Sequence, residues 1–199
     1  MSLDQSERTD KDMLIDGSWI EGDDRTDVMD PYDGTTVGTI PSASREQVTD
    51  AIESARDAAE RTSLSAYERY ELLSIAADRL EERAEEVAEI ITSEQGKPIT
   101  EARTEADRTV QTLRLSAEEA KRQFGEYVPM DPQKGMSRDH CFTQPEPVGV
   151  VAGITPFNFP LMLMAHKVGP AVAAGNAFVG KPATATPLSA LVLFECLDA

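Results

Sequence analysis

Positively charged residues are scarce in this sequence. Its 199 residues include 19 Lys and Arg against 36 Asp and Glu, a formal net charge of −17. Nucleic-acid binding needs a basic surface that neutralises phosphates, so this balance argues against DNA or RNA as a partner. An acidic, lysine-poor surface keeps proteins soluble at high salt, and a halophilic protein is therefore as consistent with this composition as an ordinary acidic one. Stability that does not change between dilute buffer and molar KCl would contradict the halophilic interpretation.

Long apolar runs and cysteines are also rare. No uncharged stretch approaches the roughly 20 residues of a membrane span, and the polar, acidic N-terminus is unlike a signal peptide. We therefore predict a soluble, cytoplasmic protein with no membrane partner. Cys141 and Cys196 lack the density of a disulfide scaffold and the spacing of a zinc site. Two buried, reduced thiols and no metal site are the expectation.

The first part of the chain predicts short strands followed by helices. The segments "MLIDGSWI", "TDVMDPYDG" and "TTVGTI" alternate apolar and polar residues between turn formers, as antiparallel strands do. Three helices are expected next. The first begins after Ser44 and has Val48 and Ile52 on its apolar face, the second runs from Ser65 to Gly96, and the third runs over about residues 100–124.

The sequence pattern changes after this helical part. Residues 126–147 are broken by prolines and glycines and predict a connector with short strand-like pieces. Residues 148–199 read as strand, turn, helix, strand, turn, helix, with nearly continuously apolar strands, which is typical of a parallel sheet covered on both faces. We therefore predict an α/β protein in three parts, over residues 1–125, 126–147 and 148–199.

Ligands of open parallel sheets bind beyond the carboxyl ends of the strands. Here those ends read "GITPFNFP" and "GKPATATP". The first lacks the GxGxxG fingerprint of the ordinary dinucleotide-binding turn, so motif counting alone makes this sheet a weak cofactor site. Asn158 is the polar amide in that turn of prolines and phenylalanines. It either shapes the turn or offers its carboxamide to a reacting group.

Several separated motifs resemble the aldehyde dehydrogenase family. The segments "PVGVVAGITPFNFPL" and "KVGPAVAAGNAFVGKPATATPLSA" are similar to its cofactor-binding segment, a Rossmann variant without GxGxxG, and "SEQGKPITEARTEADRTV" is similar to an upstream helix pair. The likeness covers about residues 12–199, and the wording is nearest to archaeal lactaldehyde and non-phosphorylating glyceraldehyde-3-phosphate dehydrogenases. It implies an aldehyde-dehydrogenase-like α/β fold of which this chain is an incomplete, N-terminal portion, with the catalytic domain absent.

The resemblance implies roles for residues at both strand ends. Asn158 would donate a hydrogen bond to the oxyanion of a cysteine thiohemiacetal. Lys181 resembles the lysine that binds the adenosine ribose, and the other cofactor-binding residues would be Ile154, Thr155, Pro156, Phe157, Ala183 and Thr184. Burial of Phe157 and Phe159 is expected whatever their function. Gly175 and Asn176 match a tight turn of the family, and we interpret them as structural.

Thr184 stands where many family members have a glutamate that holds the ribose 2′-hydroxyl. Loss of that carboxylate removes repulsion of a 2′-phosphate. The cofactor is therefore expected to be NAD or NADP, with NADP accepted or preferred. The resemblance also implies a small-molecule aldehyde as substrate, and a homodimer or homotetramer assembled through a β-hairpin arm that includes part of the connector.

The catalytic cysteine and the general base are expected outside these 199 residues. In the family both lie far beyond the lysine motif, and neither Cys141 nor Cys196 has the position of the nucleophile. Glu195 cannot act as a base for its neighbour Cys196, because adjacent helix positions do not face each other. We predict a parent enzyme that oxidises an aldehyde to a carboxylic acid, while this chain alone is inactive. The alternative is a non-catalytic binding or interaction module, and a "GQxC" motif beyond Ala199 would favour the enzyme.

Overall fold

Short strands come first, helices follow, and a parallel strand pair with two helices ends the chain. The structure is a computed structural model that describes residues 9–22, 24–61, 63–136 and 139–198. The elements are β1 Met13–Ile15, β2 Ser18–Ile20, β3 Arg25–Met29, β4 Thr36–Pro41, α1 Arg45–Arg61, α2 Ala66–Glu82, α3 Ala84–Gln95, α4 Ile99–Ala120, β5 Tyr127–Pro129, β6 His140–Phe142, β7 Val150–Ile154, α5 Pro160–Ala173, β8 Ala177–Lys181 and α6 Leu188–Asp198. The predicted α/β class is confirmed.

The alternating N-terminal segments form two antiparallel hairpins. In the first, β1 pairs with β2 in a register that places Ile15 opposite Ser18. Asp16 and Gly17 connect these strands with φ of 51° and 67°, because a two-residue turn that matches the strand twist needs both residues in the left-handed region, where Asp-Gly is favoured. The second hairpin pairs β3 with β4. Both hairpins confirm the strands predicted from the sequence.

The prediction of one helix between Ser65 and Gly96 is wrong in its middle. The ends are as expected, with a capping box of Ser65 and Glu68 at the start of α2 and Gly96 in a left-handed conformation after α3. Between them the helix breaks at Arg83, which has φ of −101° and ψ of 12°. On either side of the break, α2 packs against α4, α5 and α6, and α3 packs against α4 and α6. Apolar spacing continues across the break, so periodicity could not reveal it.

Two further helix predictions need correction. Helix α4 ends at Ala120 rather than near Phe124, and Phe124 is 76% exposed. No residue of α1 is buried, and Val48 and Ile52 are about half exposed. Helix α1 lies against β7 and β8 with only part of its apolar face covered. An amphipathic pattern indicates which side of a helix can be buried, whereas the neighbouring elements determine how much of it is.

One hydrophobic core joins the helices to the C-terminal strand pair. Helices α2, α3, α4, α5 and α6 contribute leucine and isoleucine side chains with no solvent exposure, namely Leu73, Leu80, Ile91, Leu113, Leu161 and Leu193. Strands β7 and β8 pair in parallel, as predicted, and α5 packs on both of them. The connector forms the antiparallel pair of β5 and β6, whose side chains are mostly exposed. The core therefore supports the carboxyl ends of β7 and β8.

Replacing Gly96 with alanine should destabilise the fold, because its φ is 75° and an added Cβ would lie 2.9 Å from Cγ of Pro31. We expect the free energy of unfolding to fall by about 2–4 kcal/mol, the sum of left-handed backbone strain and overpacking. Gly34→Ala is the matched control, since Gly34 has φ of 72° and open space around it. It should lose only about 1–2 kcal/mol. Chemical denaturation of both variants measures the difference, and equal losses would contradict the steric part.

Candidate functional site

The two segments singled out from the sequence meet at one edge of the structure. In the parallel register Ile154 pairs with Lys181, and the backbone N–H of Thr155 donates to the carbonyl of Lys181 over 3.2 Å. The turns after β7 and β8 therefore begin side by side. Most of the side chains that follow are accessible, including those of Asn158 and Thr184. This carboxyl edge is the candidate site.

Asn158 combines an anchored backbone with an available side chain. Its backbone carbonyl accepts hydrogen bonds from Nζ of Lys97 and from Nε2 of Gln95, each over 3.1 Å. The residue is exposed, and within the described part of the chain no group bonds to its carboxamide. A carboxamide N–H that is carried by an anchored backbone and has no internal acceptor is available to donate to an oxyanion.

Lys181 and Thr184 form the second half of the edge. Nζ of Lys181 donates to Oγ1 of Thr184 over 3.1 Å, and both residues are exposed. The structure thus brings together the two residues that were predicted for the adenosine ribose. An ammonium group and a hydroxyl can bond to ribose hydroxyls or, in the ammonium's case, to a phosphate. No acidic side chain takes part in this pair.

The other predicted cofactor residues lie around these two turns. Ile154 is 73% exposed at the end of β7, Pro156 is exposed, and Ala183 is half-buried. Thr155 is buried, and its Oγ1 has no hydrogen-bond partner among the described residues. The expectation that Phe157 is buried is wrong, since 63% of it is exposed. Phe157 thus adds an apolar ring to the surface of the site, next to Asn158.

A buried ion pair lies beneath the first turn. Lys97 donates to the Glu105 carboxylate, with the two side chains 6% and 0% exposed. The other carboxylate oxygen accepts the backbone N–H groups of Leu161 and Met162, both over 3.1 Å. Glu105 therefore caps the N-terminus of α5. In ordinary Rossmann folds the pyrophosphate sits at the N-terminus of this first helix, so the absence of GxGxxG agrees with a helix end that is already occupied.

Glu94 does the same for α6. Its carboxylate accepts the backbone N–H groups of Leu188 and Ser189, over 2.7 and 3.1 Å, and also the Ser189 hydroxyl. Burial raises the pKa of Glu94 to about 7, although these hydrogen bonds act in the opposite direction. The N-termini of both helices that follow the sheet strands are thus satisfied by carboxylates from the preceding helical layer. A phosphate group would have to displace a buried side chain to bind at either one.

These supporting residues were missed by the sequence reasoning. Gln95 and Lys97 belong to "EQGKP", which was used only as a marker of family likeness. Glu105 lies at helical spacing between Ala102 and Thr109, all of them buried on one face of α4. A lone carboxylate within a buried helical face is costly unless it is paired and hydrogen-bonded. The position of Glu105 in the sequence could therefore have indicated a buried partner.

Several residues that we interpreted as structural bond or lie within the fold. Oδ1 of Asn176 accepts the backbone N–H groups of Val148 and Gly149, which holds the start of β7. Cys196 is buried, and burial raises the pKa of its thiol, whereas Cys141 is only partly buried, contrary to expectation. Glu195 pairs with Lys11 and Arg83 over 2.6 and 2.9 Å. Within the part of the chain that the structure describes, no cluster of acidic, His or Cys residues is suited to hold a metal ion.

The likeness to known proteins agrees with this geometry. The model of the aldehyde dehydrogenase family matches residues 19–199. The chain belongs to the aldehyde dehydrogenase family. It is 46% identical over 186 residues to a 3-sulfolactaldehyde dehydrogenase of Priestia aryabhattai and 40% identical over 187 residues to a lactaldehyde dehydrogenase of Methanocaldococcus jannaschii. Both family resemblance and the likeness to lactaldehyde dehydrogenases are thereby confirmed.

A solved structure of the same family shares the fold. The crystal structure of NADP-dependent glyceraldehyde-3-phosphate dehydrogenase from Bacillus halodurans C-125 complexed with NADP matches with a TM-score of 0.88 and 39% identity. It is matched over 94% of this chain and 40% of its own. The two aldehyde dehydrogenase relatives are likewise matched over 94% of this chain and 39% of their own length. The chain therefore spans about two fifths of the family members it matches. None of its described helices has the length and apolarity to cross a membrane.

The shifted pKa of Glu94 predicts a pH-dependent stability. The pKa in the folded state is about 7 against an ordinary 4.5, so the folded state binds the extra proton. The resulting stabilisation is complete below pH 4.5 and is lost as the pH rises through about 7. The quantity to compare is the difference in free energy of unfolding between the wild type and Glu94→Gln. This difference should decrease as the pH rises across this interval. Urea denaturation at a series of pH values measures it.

Glu89→Gln is the matched control, because Glu89 is an exposed carboxylate on the same helix. Its difference from the wild type should stay nearly constant over the same interval. A constant difference for Glu94→Gln as well would contradict the raised pKa.

Proposed function

We propose that this chain is the cofactor-binding, N-terminal part of an NAD(P)-dependent aldehyde dehydrogenase. The observation that carries the proposal is the exposed carboxamide of Asn158, held by its backbone at the carboxyl edge of β7 beside the Lys181–Thr184 pair. Relatives named for 3-sulfolactaldehyde and lactaldehyde support an aldehyde substrate. The reaction is oxidation of a small-molecule aldehyde to a carboxylic acid.

Asn158 acts on the oxyanion of the reaction. A cysteine elsewhere in the complete polypeptide adds to the aldehyde carbon, and the carbonyl oxygen takes up negative charge as the sulfur–carbon bond forms. The side-chain N–H of Asn158 donates to that oxygen. Because the carboxamide is neutral and already positioned, it stabilises the charge without reorganising or titrating. Cys196 cannot be that cysteine, since it is buried and its thiol pKa is raised.

The residues at the second turn fit the adenosine end of a dinucleotide. Lys181 and Thr184 offer an ammonium and a hydroxyl at the surface, and the exposed Ile154, which pairs with Lys181, offers apolar contact next to them. Because Glu105 and Glu94 already occupy the N-termini of α5 and α6, a bound pyrophosphate would need partners other than these two helix ends. When bound, the cofactor would supply the acceptor for the hydride that leaves the substrate carbon. The relative solved with NADP supports this cofactor class.

The connector supports self-association. Strands β5 and β6 form a pair with Tyr127 and Phe142 exposed by 54% and 74%, and the Tyr127 ring lies 5.7 Å from that of Phe142 and 5.8 Å from that of His140. Paired strands with exposed aromatic rings resemble the arm through which family members assemble. A homodimer or homotetramer built through this arm stays a prediction.

Asn158→Ala tests the central role. In the complete polypeptide, kcat for aldehyde oxidation should fall by about 10²–10³-fold, the typical loss for one oxyanion donor. The dissociation constant of the cofactor should be unchanged, because Lys181 and Thr184 remain in place. Steady-state kinetics and fluorescence titration with NADPH measure the two quantities. A variant that keeps the kcat of the wild type would rule out the oxyanion role.

Thr184→Glu tests the cofactor preference. A carboxylate at this position would repel the 2′-phosphate of NADP and accept a hydrogen bond from the 2′-hydroxyl of NAD. The ratio of kcat/KM for NADP to that for NAD should fall by about 10-fold or more. Ala185→Glu adds the same charge at the adjacent exposed position and should change the ratio much less. A wild type that strongly prefers NAD, or a ratio that Thr184→Glu leaves unchanged, would contradict the prediction.

A further inference from the structure

The backbone of the Asn158 turn is held by the buried Lys97 and Glu105 and by the partly buried Gln95. Nζ of Lys97 and Nε2 of Gln95 both donate to the carbonyl of Asn158, which uses both acceptor positions of that oxygen. A carbonyl with two donors on different side chains cannot rotate without breaking at least one of the bonds. The side chains of Gln95 and Lys97 therefore fix the plane of the peptide bond that follows Asn158.

The ion pair of Lys97 and Glu105 also holds the residues that follow Asn158. Glu105 accepts the backbone N–H groups of Leu161 and Met162, and the ammonium of Lys97 lies 4.0 Å from the centre of the Phe159 ring. The pair thus contacts the turn at four successive places around Pro160. Every one of these contacts is to a backbone group or a ring, so none of them occupies the carboxamide of Asn158.

Stability alone does not account for this placement. Taking a carboxylate and an ammonium out of water costs several kcal/mol for each ion, and a buried pair is often no more stable than apolar residues of the same volume. The side chains of Lys97 and Glu105 are almost fully buried. Apolar residues could not donate a hydrogen bond to the Asn158 carbonyl, as Lys97 does, nor accept the first N–H groups of α5, as Glu105 does.

We propose that Gln95 and the buried Lys97–Glu105 pair are positioning residues for the carboxamide of Asn158, an inference that rests on the proposed function. They hold the turn so that the side-chain N–H reaches the place where the oxyanion forms. A displacement of the order of 1 Å at such a group can cost about 10²-fold in rate, so an anchor of this kind affects turnover while leaving cofactor binding unchanged.

Gln95→Met is the first test, because it removes one donor from the Asn158 carbonyl and leaves the ion pair intact. Substituting Lys97 or Glu105 would leave a buried charge without its partner and is expected to impair folding. In the complete polypeptide, Gln95→Met should lower kcat by about 10-fold, with the aldehyde KM and the NADPH dissociation constant changed less than about two-fold. Gln123→Met is the matched control, since Nε2 of Gln123 also donates to a backbone carbonyl, that of Ala173. It should leave kcat unchanged.

A double-mutant cycle separates positioning from a general structural effect. If Gln95 acts through Asn158, then Gln95→Met should have almost no effect on kcat in the Asn158→Ala background. An equal loss of kcat in both backgrounds, or an equal loss for Gln123→Met, would overturn the positioning role.

Hydrogen exchange provides a readout that does not depend on activity. Backbone amides of residues 158, 159, 161 and 162 should exchange faster in Gln95→Met than in Gln123→Met, as measured by mass spectrometry of proteolytic peptides. Equal exchange in the two variants overturns the anchoring. Faster exchange together with an Asn158→Ala variant that oxidises aldehyde at the wild-type rate overturns the proposed role of Asn158, and the positioning role with it.

Discussion

Two buried carboxylates at helix N-termini hold the carboxyl edge together. Glu105 caps α5 and Glu94 caps α6, and both come from the helical layer that precedes the strand pair. Buried backbone N–H groups must find acceptors, and here the acceptors are carboxyl oxygens of two glutamate side chains. The two turns that carry the candidate site are thereby tied to α3 and α4. The position of the site depends on helices that are far from it in the sequence.

This arrangement agrees with the absence of a glycine-rich turn at the carboxyl edge. Glycines at that turn let a phosphate approach the helix N-terminus closely. In this chain the N-terminus of α5 is closed by Glu105, and the turn has Pro156 and Pro160 on either side of Asn158. A turn made rigid by two prolines and a buried ion pair is suited to aim one side chain. The Glu105 carboxylate occupies the helix end where a phosphate binds in ordinary Rossmann folds. This accounts for the missing glycine-rich motif, and the same side chain helps to anchor the turn that carries Asn158.

The exposed groups at this edge lie on two separate turns. Asn158 and Phe157 lie on the turn after β7, and Lys181 and Thr184 lie on the turn after β8. Parallel pairing of Ile154 with Lys181 sets the distance between them. Because a parallel register cannot shift by one residue without turning every side chain to the other face, the strand pairing protects the relation between the two halves of the site.

Local patterns in the sequence were sufficient for the element types, for the start of α2 after Ser65 and for the positions of the two parallel strand ends. Such features depend on neighbours within a few positions, which a sequence displays directly. The break at Arg83, the exposure of Phe157 and the partial burial of α1 depend on which elements pack against each other. The same holds for the roles of Gln95, Lys97 and Glu105, which reach residues more than 50 positions away. Only the tertiary structure could bring those groups to the Asn158 turn, because their partners are determined by packing across the core and leave no local spacing to read.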